Sequence, residues 1–108
     1  MADSFSKREK GEERKYEMDQ QLLFRAESRR NKLLGLWLAE IFGLTGADAD
    51  AYAKQVVVAD LDEPGIEDVV RKVMADIKIR SAPVSEAQVR SKMQELESVA
   101  MDQVKSES

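Results

Sequence analysis

From Leu22 onward, apolar residues recur at helical spacing. Leu23, Leu34, Trp37, Leu38 and Ile41 fall on one side of a helix, and Gly43 stands where a left-handed residue would end it. Thr45 with Asp48 marks the cap of a second helix, about Gly46 to Asp60, whose one face collects Ala49, Tyr52, Ala53, Val56 and Val57. The run Asp60-Leu61-Asp62-Glu63-Pro64-Gly65 breaks that helix. From Ile66, the positions Ile66, Val69, Val70, Val73, Met74 and Ile77 keep the helical rule without an error and predict a third helix. Arg80 to Pro83 reads as a loop. Ser85 with Gln88 is a capping-box signature that opens a fourth helix, in which Val89, Met93, Leu96, Ala100 and Val104 form the narrow stripe of a bundle. The expected fold is all-α, a four-helix bundle over residues 20–108.

The pattern fails before that point. Residues 1–19 alternate charges and offer only Phe5, Tyr16 and Met18 as large apolar groups, too few to offset the entropy of ordering. A flexible, partly helical N-terminal arm is expected there. Ser6 with Glu9 would cap a helix starting near Lys7, while Gly11 opposes it by about 1 kcal/mol relative to Ala. A helix from Lys7 to Phe42 would be about 54 Å long, more than a bundle of this size covers, so part of it would project into solvent or onto a partner.

Composition narrows the function. The 108 residues are 43% hydrophobic and 35% charged, with little Gly or Pro, as in a helical globular protein. There is neither Cys nor His, which removes disulfides, thiolate chemistry, zinc-thiolate sites and imidazole catalysis, and fits a reducing compartment. The longest apolar run, Leu33 to Leu44, contains Glu40 and falls short of the roughly 20 residues of a membrane span. The N-terminus has no apolar leader region, so a cytoplasmic protein is expected. The net charge of −4 is uneven: residues 1–32 carry 9 basic and 7 acidic groups (+2), leaving 8 basic and 14 acidic groups (−6) for 33–108. Such dispersed positive charge is too weak for nucleic-acid binding.

Candidate chemistry is sparse. Asp60, Asp62, Glu63, Glu67 and Asp68 lack the spacing of a calcium loop and read as helix-end carboxylates, so no metal site is assigned. Gly43-Leu44-Thr45-Gly46 lacks the Lys of a phosphate-binding loop. No nucleophile elbow or dinucleotide fingerprint is present, and the chain is not expected to be an enzyme. Trp37 and Phe42, on an apolar helix face, read as core. Arg29, Arg30, Asn31 and Lys32 form a candidate partner or ligand surface. The plain alternative is a solvated face with helix pairs such as Glu27 to Arg30, against which stands Asn31, an unfavourable helix-interior residue unless its amide finds a partner.

Arg29-Arg30-Asn31-Lys32-Leu33-Leu34-Gly35-Leu36-Trp37, followed by Ala39-Glu40, Ala51-Tyr52-Ala53-Lys54, Asp60, Glu67-Asp68-Val69 and Arg71-Lys72-Val73, resembles the ζ subunit of the alphaproteobacterial F-type ATP synthase, an ATPase-inhibitor family. The resemblance covers nearly the whole chain. It implies a helical bundle, monomeric when free, with a mobile N-terminal segment that enters a catalytic interface of the synthase head and stops hydrolysis, on the cytoplasmic side of the membrane-bound enzyme. It also admits adenine nucleotide (ATP or ADP) as a ligand, with no residue here marking where, and no other cofactor. Phe5, Arg8, Glu9, Lys10, Gly11, Glu12 and Tyr16 would then form the partner-binding arm. Arg8-Glu9-Lys10, Glu13 and Lys15 match the family pattern, and Tyr16 replaces a Phe. Gly11 and Glu12 stand where inhibitory members favour Ala and Phe, which removes a helix former and an apolar anchor together and lowers the expected inhibitory strength.

Overall fold

The computed structural model describes the backbone of residues 2–59 and 66–107, and side chains from residue 20 onward within those ranges. Among them are four helices and no strand: α1 (Ala2–Ile41), α2 (Gly46–Ala59), α3 (Glu67–Ile79) and α4 (Glu86–Glu107). The all-α, four-helix expectation holds. α1 begins at Ala2 and not near Lys7, where a Ser6–Glu9 cap would start it. The side chains of Ser6 and Glu9, and residues 60–65, with Asp60, Asp62 and Glu63, lie outside what the structure describes.

The α1–α2 and α3–α4 junctions are closed by backbone geometry that their sequences permit. At the end of α1, Gly43 takes φ +80, its N–H donates to the Glu40 carbonyl at 3.1 Å, and Leu44 N–H reaches back to Ala39 at 2.8 Å. This is the Schellman arrangement, with glycine in the left-handed position. The end of α3 repeats it: Ser81 N–H donates to Lys78 at 3.2 Å and Ala82 N–H to Ile77 at 3.0 Å, with Ser81 at φ 52. At the start of α4 the capping box is formed as the sequence predicts. Gln88 N–H donates to Ser85 Oγ at 3.2 Å, and Ser85 N–H to Gln88 Oε1 at 2.8 Å.

α1 is the central element, packed against α2 on one side and α4 on the other. Leu34, Leu38 and Ala39 meet Tyr52 and Val56 of α2, the valines and Ile77 of α3, and Val89, Met93 and Leu96 of α4 in one core. A smaller cluster joins Ala26 and partly buried Leu22 to Ala100 and Val104. The stripes expected on α3 and α4 face inward, with Ile66 and Met74 at the core margin. On α2, Tyr52, Ala53 and Val56 are buried, and Ala49 and Val57 partly so. Between α3 and α4, Arg90 bridges Glu67 and Glu86, and its guanidinium holds the Glu67 carboxyl below the usual range.

Three further expectations for α1 need correction. Leu23 and Ile41 are exposed, at 48% and 38%, because a helix held between two neighbours buries a face that turns between them. Toward its N-terminal side that face runs through Leu22 and Ala26, and Leu23 points away. Trp37 is only half-buried. It lies over the core edge, with Lys92 Nζ 5.5 Å from its ring centroid, a favourable place for a residue too large to be enclosed easily.

Candidate functional site

The residues expected to form the partner-binding arm, Phe5, Arg8, Glu9, Lys10, Gly11, Glu12 and Tyr16, lie outside the described side chains. The second candidate, Arg29 to Lys32, is described in full. The structure divides it between the α1–α4 interface and solvent.

Arg29 ties α1 to the end of α4. Its Nη1 donates to Gln103 Oε1 at 2.9 Å, and its Nη2 lies 2.8 Å from the Glu107 carboxylate. Gln103 and Glu107 are four residues apart and share one helix face, so a single guanidinium fork spans both. Arg25, one turn earlier on α1, reaches the same carboxylate at 3.7 Å. Arg30 is nearly enclosed, 5% exposed. It approaches Glu97 of α4 at 3.7 Å and donates from Nε to Asn31 Oδ1 at 3.2 Å; no Glu27–Arg30 pair occurs.

Asn31 is fully buried, and its amide finds one partner, not two. Oδ1 accepts the Arg30 bond, while Nδ2 is the one buried side-chain polar atom among the described residues with no hydrogen bond. A buried donor left without a partner costs on the order of 1–3 kcal/mol. Lys32 is exposed and has no ion-pair partner among the described residues.

A groove of about 340 Å³ lies beside these residues, where the described part of α1 meets the ends of α2 and α4. Its apolar surface comes from Phe24, Val57 and Val104, and its cationic rim from Arg25, Arg29 and Lys32. The sequence alone singled out Arg29 and Lys32. Phe24, Arg25 and Val57 were missed, because they join the site only through the relative placement of three helices. The one cue in the sequence is the adjacency of Phe24 to Arg25, and the structure leaves Phe24 62% exposed.

No group of three or more metal-ligating carboxylates, imidazoles or thiols occurs among the described residues. No helix is long and apolar enough to cross a membrane among them either.

Comparison with known proteins gives a consistent result. The family model described as ATPase inhibitor subunit zeta matches residues 1–103. A structure solved by NMR in solution is similar at 49% identity and a TM-score of 0.70, covering 79% of this chain and 96% of that one. No curated protein matches.

Proposed function

The chain belongs to the ATPase inhibitor subunit zeta family, and from that premise we propose that it binds the catalytic head of an F-type ATP synthase and restrains ATP hydrolysis. The observation that carries this reading is the extent of the match: residues 1–103 take in the arm as well as the bundle. The bundle is then a platform, and the arm, residues 1–19, is the segment that enters the head. Binding through a polar arm requires ordering it, so affinity depends on helix propensity and on a few apolar anchors.

In this reading Phe5 and Tyr16 supply apolar contact, Arg8, Glu9 and Lys10 supply charge complementarity, and Gly11 and Glu12 weaken the insertion. The protein acts as a monomer in the cytoplasm, peripheral to the membrane-bound synthase, and is a regulator rather than a catalyst.

Titrating the purified protein into a synthase head that is hydrolysing ATP tests the reading. Weak inhibition is expected from the natural chain, and stronger inhibition from the double change Gly11→Ala with Glu12→Phe. Strong inhibition by the natural chain without gain from the double change would assign binding to Phe5, Arg8 and Tyr16. No effect of either form would reject inhibition.

A second reading is a bundle that binds adenine nucleotide or another partner without inhibiting. Arg25, Arg29 and Lys32 around one groove favour it, since they could face a polyphosphate. Amide shifts confined to these residues on addition of ADP, in a protein inert toward hydrolysis, would support it.

A further inference from the structure

The groove between α1, α2 and α4 combines features that a small anion would not use together. Its three cations all stand on α1, within residues 1–32 of net +2, and face the ends of α2 and α4, which belong to residues 33–108 of net −6. Its apolar side is open: Phe24 is 62% exposed, and Val57 lies partly buried beside it. An exposed aromatic ring in a groove rimmed by charge has the make-up of a protein contact, an aromatic anchor with a polar rim. The groove also already holds a carboxylate. Glu107 from the end of α4 occupies Arg25 and Arg29 and leaves Lys32 unpaired.

We propose that this groove docks an acidic amphipathic helix of a partner protein, with an apolar side chain against Phe24 and Val57 and a carboxylate at Lys32. A second carboxylate one turn away would reach Arg29 and displace Glu107, which serves as an internal stand-in for the partner. Phe24 supplies the anchor, and the cations supply orientation and association rate. The charge complementarity decides the sign of the partner, and the Phe24 ring beside the cations calls for an apolar side chain on the same segment. The surface is separate from the arm, and its test does not depend on inhibition of ATP hydrolysis.

The probe is a fluorescein-labelled four-turn helix of Leu and Glu, titrated with the full chain and followed by anisotropy, beside a counterpart with Lys in place of Glu. The acidic peptide should bind and the basic one should not. Phe24→Ser and Lys32→Glu should each weaken binding about tenfold, the second less so at high salt. Glu107→Gln should tighten binding about threefold by freeing Arg25 and Arg29, an effect opposite to loss of a structural tie. Circular dichroism checks that the variants remain folded. The proposal is overturned if the acidic peptide fails to bind at about 1 mM, if it binds equally to Phe24→Ser, or if Glu107→Gln weakens it. Displacement of the peptide by stoichiometric pyrophosphate would also overturn it, by assigning the cations to a small anion.

Discussion

Gly35 and Ala53 fix how closely α1 and α2 approach: a Cβ on Gly35 would lie 2.7 Å from the Ala53 Cα and 3.2 Å from Val56 Cγ2. The nearer atom is backbone, so no rotamer change relieves the contact. Gly35→Ala should therefore destabilise by about 1–2 kcal/mol, although Ala is the better helix former by about 1 kcal/mol, because overpacking of the crossing outweighs propensity. Adding Ala53→Gly removes a Cβ but leaves the Cα, and should restore little. Urea denaturation of the single and double variants measures both. A stabilised Gly35→Ala protein would show that the crossing is looser than this distance implies.

Tyr52 donates its hydroxyl to Asp76 Oδ2 at 2.8 Å, and that carboxylate also pairs with Lys72 Nζ at 2.9 Å. Burial and the adjacent negative charge push the Tyr52 phenol well above its usual value of 10.0. The folded protein therefore keeps a proton that the unfolded chain loses, and stability falls as pH rises past about 10. Tyr52→Phe should be less stable at neutral pH but should decline less steeply above that pH. Tyr16 is present in both proteins and cancels in the comparison. Parallel slopes for the two would reject the assignment.

Ser81 carries φ 52 at the end of α3, a conformation that costs an L-residue roughly 1–2 kcal/mol. Ser81→Gly should raise stability by about 0.5–1 kcal/mol, visible as a higher melting temperature. Gly43 at φ 80 is the counterpart at the end of α1, and Gly43→Ala should lower stability by about 1 kcal/mol.

Asn31 places an unpaired Nδ2 in the interior while its Oδ1 accepts one bond from Arg30. Replacement by an apolar residue of similar volume removes the orphaned donor, so Asn31→Leu should change stability by less than about 1 kcal/mol. Asn31→Ala leaves a void and should cost about 2 kcal/mol. A large loss in Asn31→Leu would mean that the bond to Arg30 outweighs the unpaired donor.

What the sequence revealed depended on how local the signal was. The α3 stripe from Ile66 to Ile77, the Ser85–Gln88 box and the left-handed Gly43 are each encoded within a few turns of chain, and each holds in the structure. Ser81 escaped because serine gives no cue for positive φ. Leu23 and Trp37 departed from expectation because their burial is decided by where α2 and α4 stand against α1, which periodicity along one helix does not contain. The groove is non-local in the same way. Arg29 and Lys32 were legible as a basic cluster, but its apolar half needed Val57 and Val104 brought from two other helices.

The clasp of Arg25 and Arg29 on Glu107 has a practical consequence for anyone who engineers this chain. A segment joined directly after Glu107 would start beside those two arginines. An acidic epitope tag placed there would fold back onto them as a tethered ligand at high local concentration, and would mask in the laboratory the surface it was meant to report on. Labels are better carried at exposed positions far from Glu107, such as Ile79 at the end of α3.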